Sequence, residues 1–156
     1  MEKKLIEVFE TAVLQTFLKV IDVDLTLVNK NENGDILYDI SGVIGFIGDI
    51  VGSVVLRIPE STAQEIRNRM IKKRTIQSEN ILDTVSELVS MVAGNMITAF
   101  DVEKKSLSIP QTIRGKDHEI DFKGYKEKVE LYFTSDIGVV CLVVAYGLNS
   151  DDKKIV

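Results

Sequence analysis

Apolar residues recur at intervals of three and four in three parts of the sequence, which is the pattern of an amphipathic helix. The first predicted helix spans about 3–21 and the second ends near Lys73. A third, longer helix is predicted from Ser78 to about Asp101. The chain therefore has one helix near its beginning and two in its middle.

Polar motifs mark the predicted starts of the second and third helices. Pro59 ends the preceding strand, and in the stretch STAQE we expect Thr62 to cap the second helix while Glu65 reaches back to it. Ser78 is expected to cap the third helix.

Stretches rich in β-branched residues predict strands between and after the helices. Two of them, 36–47 and 50–58, are joined by Gly48 and Asp49 as a tight hairpin turn. A polar turn is expected over 29–35. The later β-rich segments are SLSIPQTI, KVELYFTSD and IGVVCLVVAYG.

Two of the hairpins resemble each other in sequence. Residues 46–58 and 133–145 each contain a phenylalanine, an Asp-Ile turn, a glycine and an apolar strand, and each hairpin follows an amphipathic helix. The expected fold class is therefore α+β, an antiparallel sheet with long helices on one face and two α-β pseudo-repeats. We expect a single domain over 1–150 and a frayed polar tail over 151–156.

The composition excludes several classes of function. The 156 residues carry a formal net charge of −5, and the basic cluster at 67–74 has the character of a solvated helix face. We therefore expect no stripe of basic residues that would bind the phosphates of a nucleic acid. One cysteine, Cys141, and one histidine allow no disulfide and no metal site. With no signal peptide in the sequence, we expect a cytoplasmic protein.

The third helix has a polar ridge opposite its apolar face. A wheel at 100° per residue places on this ridge Asp83, Glu87, Ser90, Gly94, Thr98 and Asp101. An ordinary solvated helix face is one explanation. A partner surface is the other, since a glycine in a helix costs about 1 kcal/mol and leaves a notch, and no lysine occurs from 82 to 102.

The stretch SELVSMVAGN resembles the active helix of the CheC/CheX family of chemotaxis phosphatases, and CheX in particular. The family pattern is an acidic residue or serine, three residues, a glutamate, two residues, an asparagine and a later proline. Asp83, Glu87 and Pro110 match it, and the order of helices and strands agrees over nearly the whole chain.

The resemblance implies a phosphatase that hydrolyses the aspartyl phosphate of a CheY-type response regulator in chemotaxis or another two-component pathway. In such proteins the glutamate pairs with the regulator's lysine, and the asparagine positions the attacking water. By this resemblance Glu87 and Ser90 are the candidate catalytic residues, while Asp83, Gly94 and Thr98 are candidates for partner binding. The chain would need no cofactor of its own, because the regulator supplies Mg²⁺.

One departure from the family pattern concerns the asparagine, whose place is taken by Ser90. Asn95 does not replace it, since it lies eight residues beyond Glu87 and about 80° away on the wheel. A serine is shorter than an asparagine, and a misplacement of about 1 Å can cost on the order of a hundredfold in rate. The alternative is therefore a non-catalytic adaptor that binds regulators through the same ridge.

Two further expectations concern the number of sites and of subunits. In the first helix Glu10 precedes Val13 by three residues and no asparagine is present, so we expect one site per chain. The strand IGVVCLVVAYG is apolar on both faces and must be covered twice, which together with the resemblance predicts a homodimer.

An unrelated enzyme has little support: GDIVGS is a hairpin turn between strands, and there is no nucleotide-binding glycine loop or catalytic triad.

Overall fold

The computed structural model describes residues 2–30, 36–73, 80–100, 104–116 and 118–148. Within these ranges the chain forms three helices and seven strands. In chain order they are α1 (Glu2–Ile21), β1 (Thr26–Val28), β2 (Ile40–Ile47), β3 (Ile50–Ile58), α2 (Glu60–Lys72), α3 (Ile81–Ile97), β4 (Ser106–Leu107), β5 (Gln111–Arg114), β6 (Glu127–Ser135) and β7 (Gly138–Leu148).

The seven strands form one antiparallel sheet in the order β1-β6-β7-β3-β2-β4, with β5 also paired to β2. The two hairpins β2–β3 and β6–β7 meet at the centre, where β3 pairs with β7. Each half is therefore a hairpin with short strands on its outer side, β1 on β6 and both β4 and β5 on β2. The α+β fold class, the antiparallel sheet and its two related halves are confirmed.

The core lies between the helices and one face of the sheet. Alternate residues of β3 and β7, such as Val54 and Leu142, point to this face and join α1, α2 and α3 in one apolar cluster. Phe9 of α1 packs edge-on against Tyr146 of β7, with ring centroids 5.6 Å apart. Because alternate residues of a strand point to opposite faces, these contacts place all three helices on one face of the sheet.

The two hairpins differ by one residue in their turns. Phe46 pairs with Gly52, six positions later, whereas Phe133 pairs with Val140, seven positions later. An alignment of residues 46–58 with 133–145 that has no gap, as their equal lengths imply, is therefore wrong after the turn. Without one inserted residue in the β6–β7 turn, it assigns every side chain of β7 to the opposite face.

The start of α2 differs from the predicted capping box. Thr62 is buried and caps nothing; the N-cap residue is Pro59, which has no side-chain hydrogen bond. The Glu60 amide instead donates to the Asp39 carboxylate, at 3.2 Å. Residues 36–39, which the sequence placed in a strand, precede β2 as an irregular segment, so that Asp39 is free to bond α2.

The bounds of α3 also differ from the prediction. The helix is capped by Asn80, whose side chain accepts a hydrogen bond from the Leu82 amide at 2.8 Å. The predicted cap, Ser78, lies outside the described residues. The helix ends at Ile97 rather than near 101, and Ala99, which the helical pattern assigns to its apolar face, is exposed.

The outer edge of β2 pairs with two short strands, β4 and β5, and one extra residue between them shifts the register of the pairing. Phe46 lies opposite Leu107 in β4, and Val43 lies opposite Gln111 in β5. Between them the edge has one residue more than β2, so 108–110 form a β-bulge. The strand β1 at the opposite edge was not predicted.

The second face of β7 is covered by the chain itself. Residues that point away from the helices include Val55, Cys141 and Val143, and all three are buried. The side chains packed against them are those of Tyr38, Val43, Ile120, Phe122 and Tyr132. The double coverage expected for β7 is thus met within one chain, and the homodimer stays a prediction without this support.

Two further predictions fall on residues that are not described: most of the polar turn at 29–35, and the tail at 151–156. Of the described helices, none is both long and apolar enough to cross a bilayer.

Candidate functional site

Helix α3 is buried in the core by one face, and its opposite face is accessible to solvent. It packs between α1 and the β2–β5 edge of the sheet, with six apolar residues that are 0% exposed. These are Val85, Leu88, Val89, Val92, Ala93 and Met96. So many fully buried side chains hold the opposite side of the helix in a fixed position.

The opposite side carries the residues that the sequence singled out. We call Asp83, Glu87, Ser90, Gly94 and Thr98 the α3 ridge. The first two and Thr98 are exposed, while Ser90 and Gly94 are half-buried. At 1.5 Å per residue the ridge is about 22 Å long. The structure brings all five together, whereas Asp101 lies outside the described residues.

Glu87 lies about one turn from the start of this ridge, with its carboxylate in solvent. Among the described residues, none forms a hydrogen bond or an ion pair with it. An unpaired, exposed carboxylate on a rigid helix is free to pair with a cation of another molecule.

Ser90 lies one turn further along, but its hydroxyl turns back toward the helix. The Oγ donates to the Ser86 carbonyl at 2.9 Å. Because that carbonyl is only an acceptor, the hydroxyl proton of Ser90 is committed, and its lone pairs are what it offers to a ligand. Ser90 is therefore a short acceptor beside Glu87.

Two hydroxyl groups, those of Ser86 and Thr112, join α3 to the edge of the sheet. Thr112 Oγ1 donates to the Leu82 carbonyl at 3.2 Å, so Ser86 Oγ must donate to Thr112 Oγ1. Sequence reasoning missed both residues of this contact. Thr112 lies 26 positions after Ser86, and only the pairing of β5 with β2 brings them together.

The ends of the ridge have structural roles of their own. Asp83 is in the first turn of α3, where a carboxylate is stabilised by the helix dipole. Thr98 is the C-cap residue, and its Oγ1 donates to the Asn95 carbonyl at 2.8 Å. A Cβ added at Gly94 would meet nothing within 4 Å, so the notch is open to a partner.

Asn95 belongs to a different surface from the ridge. Its amide nitrogen donates to Thr16 Oγ1 of α1 at 2.7 Å, and Thr16 donates in turn to the Ala12 carbonyl. The amide is thus used to join α3 to α1. This agrees with the sequence argument that Asn95 does not replace the missing asparagine.

Helix α1 has no counterpart of this site. Glu10 of α1 is followed three residues later by Val13, which is 0% exposed in the core. A polar side chain at that position would point into apolar packing. The expectation of one site per chain is consistent with this burial.

Three titratable groups of the described residues outside the ridge have shifted pKa values. Burial raises the pKa of the Cys141 thiol to about 12, so it stays neutral at physiological pH. At the β1–β6 edge, burial raises the pKa of Tyr132, and its hydrogen bond lowers the pKa of Glu130. Within the described ranges, no three His, Cys, Asp or Glu side chains are grouped to hold a metal ion.

Comparison of the sequence with family models gives a match over residues 40–134 to the model described as "Chemotaxis phosphatase CheX". The match includes both central strands of the first half, α2, α3 and the sheet edge. A search of the curated proteins gave no significant match.

Solved structures of CheX proteins are similar to this chain over most of its length. CheX from Vibrio vulnificus is 23% identical, with a TM-score of 0.74, covering 92% of this chain and 96% of that one. CheX from Desulfovibrio desulfuricans is 18% identical, with a TM-score of 0.75 and coverages of 92% and 99%.

The CheX of a CheX-CheY-BeF3-Mg²⁺ complex from Borrelia burgdorferi is 18% identical, with a TM-score of 0.68 and coverages of 90% and 96%. At these identities the likenesses establish the fold.

Proposed function

The chain belongs to the family of the chemotaxis phosphatase CheX, and from that membership we propose that it docks a phosphorylated CheY-type response regulator on the α3 ridge and hydrolyses its aspartyl phosphate. One observation carries the proposal. Glu87 is exposed on a ridge held by a fully buried helix face, and within the described part of the chain it has no partner.

Glu87 provides the docking charge. Its carboxylate pairs with a lysine of the regulator, and such a charge-assisted hydrogen bond fixes the orientation of the two proteins. Asp83, Gly94 and Thr98 extend the contact along the helix. The regulator brings the Mg²⁺ ion, and the Borrelia burgdorferi complex, which contains CheY, BeF3 and Mg²⁺, supports this part of the proposal.

Ser90 positions the attacking water. Its lone pairs accept one O–H of the water, whose oxygen forms the new bond to phosphorus as the bond to the aspartyl oxygen breaks. The aspartate leaves as a carboxylate and the proton passes to the phosphate. Because phosphoryl transfer depends mainly on orientation and charge, one acceptor can contribute, although the short serine holds the water less well than an amide.

A non-catalytic adaptor is the second candidate. The observation that favours it is the hydroxyl of Ser90, which bonds the helix backbone instead of projecting from the ridge. In this case the chain binds the regulator through Glu87 and leaves its phosphate in place.

A phosphate-release time course separates the two candidates. CheY-type receiver domains from the same genome are phosphorylated with a small acyl phosphate and mixed with catalytic amounts of wild type, Glu87→Ala, Ser90→Asn or the exposed-glutamate control Glu65→Ala. A phosphatase accelerates release, loses about a hundredfold or more in Glu87→Ala, and is unchanged in Glu65→Ala.

Each remaining outcome has its own meaning. Binding without acceleration, together with new activity in Ser90→Asn, identifies the adaptor. Neither acceleration nor binding with any receiver domain of the genome contradicts the proposed function.

We further propose that the protein is a cytoplasmic homodimer, in keeping with its single cysteine and with the resemblance to its family. Light scattering that gives the mass of one 17.4 kDa chain would contradict the dimer.

A further inference from the structure

Ile109 is the most exposed large apolar side chain of the described residues. It is 85% exposed, and the next, Leu18, is 51% exposed. Ile109 lies at an edge of the sheet, where proteins usually place charges or short strands to prevent unwanted pairing. An isoleucine in solvent at such an edge therefore requires an explanation.

The backbone around Ile109 is held firmly on both sides. The preceding residue, Ser108, exchanges two hydrogen bonds with Gly45: its amide donates to the Gly45 carbonyl at 2.9 Å, and its Oγ accepts from the Gly45 amide at 2.8 Å. Pro110 fixes the following backbone angle. Thr112 then ties the strand to Ser86 of α3. The side chain is thus presented by a rigid bulge.

The bulge lies level with the centre of the α3 ridge. Thr112 bonds the Leu82 carbonyl near the start of α3, and Lys105 Nζ bonds the Phe100 carbonyl beyond its end, at 3.0 Å. The edge segment from Lys105 to Thr112 therefore runs antiparallel to α3. Three strand residues span about 10 Å, which corresponds to six or seven helical residues. Ile109 is accordingly at the height of Ser90.

We propose that Ile109 is an apolar anchor for the same CheY-type regulator that docks on the α3 ridge. This inference rests on the proposed function. The regulator would contact Glu87 with a cation and cover Ile109 with an apolar side chain, so that a charged contact and an apolar contact flank the reacting water. A few side chains that become fully desolvated usually carry most of the binding energy of an interface.

The regulator fits this position better than a second copy of the chain. Pairing of two sheet edges needs regular strands with free amides, and the bulge at Ser108 and Pro110 interrupts the edge where Ile109 lies. The contact of Thr112 with Ser86 also places this edge beside α3, whose exposed Glu87 carboxylate suits a partner that presents a cation.

The test measures binding of a CheY-type receiver domain that is activated with beryllofluoride, so that no turnover interferes. Wild type, Glu87→Ala, Ile109→Ser and Ile113→Ser are titrated against it by fluorescence anisotropy, and the mass of each is measured by light scattering. Ile113 is the matched control, because it lies four residues further along the same edge of the sheet, in β5, and is 40% exposed. Loss of a buried isoleucine contact predicts a roughly ten- to hundredfold weaker Kd for Ile109→Ser, with Ile113→Ser unchanged.

The outcomes separate the two proposals. If wild type binds and Glu87→Ala does not, but Ile109→Ser binds like wild type, the anchor is refuted and the proposed function stands. If Ile109→Ser changes the mass of the protein and leaves the Kd unchanged, Ile109 contacts a second copy and the anchor is also refuted. If wild type binds no activated receiver domain of the genome, both proposals fail.

Discussion

The two halves of the sheet share an architecture and differ in their chemistry. Each half is a hairpin with short strands on its outer side. A long helix precedes each hairpin in the sequence, α1 before β2–β3 and α3 before β6–β7. On α3, Glu87 is followed after three residues by the half-buried Ser90. On α1, Glu10 is followed after three residues by the fully buried Val13.

The sheet edges differ in the same way. Beside α3 the edge has a bulge, a proline and an exposed isoleucine, and it is bonded to the helix through Thr112. The opposite edge is the three-residue strand β1. The fold therefore supplies a place for a site in each half. The halves differ in the burial of the residue three positions after the glutamate: Ser90 is half-buried, whereas Val13 is fully buried.

The largest expected effect comes from placing the family's asparagine in each half. In Val13→Asn an amide replaces a core valine, so we expect the free energy of unfolding to fall by about 3 kcal/mol or more. Ser90→Asn should change it by less than about 1 kcal/mol, because position 90 is half-buried. Urea denaturation measures both, and Val13→Asn at wild-type stability would show that the halves are more alike than their burial indicates.

A smaller effect is expected at the contact between α3 and its edge strand. Ser86→Ala removes one hydrogen bond and should destabilise the fold by about 1 kcal/mol, while Ser61→Ala on the exposed side of α2 serves as the control. In a double-mutant cycle with Thr112→Val the two changes should couple. Strict additivity would mean that the hydroxyls do not join the helix to the edge.

The smallest effect is expected at the notch of the α3 ridge, where stability and binding should change in opposite directions. Gly94→Ala should raise the free energy of unfolding by about 0.5–1 kcal/mol, because alanine favours the helix and its Cβ has open space. If a regulator packs closely there, the same methyl group weakens binding severalfold. A more stable variant with unchanged affinity would leave Gly94 outside the interface.

Much of the fold follows from local patterns, and the errors share a physical cause. Apolar spacing predicted three helices, the two hairpins and the exposed side of α3, because each depends on residues that are neighbours in sequence. The start of α2 was missed because its bond comes from Asp39, 21 positions earlier. Ser78 and Asn80 are both good caps, and nothing local distinguishes them.

The candidate site was predicted in part for the same reason. Glu87 and the rest of the ridge follow from helical periodicity and the family resemblance. The contact of Ser86 with Thr112 and the bulge at Ile109 depend on the register between β2 and the edge strand, which no local pattern reveals. The fold-back of the Ser90 hydroxyl is likewise a property of the folded helix.

The coverage of the outer sheet face by Ile120 and Phe122 has a consequence for assembly kinetics. Because each chain closes the apolar centre of its own sheet, folding does not have to wait for an encounter between two chains. Refolding should then be first order in protein, with a rate constant that is the same at nanomolar and micromolar concentration. Any association of subunits would follow as a separate, dilution-sensitive step.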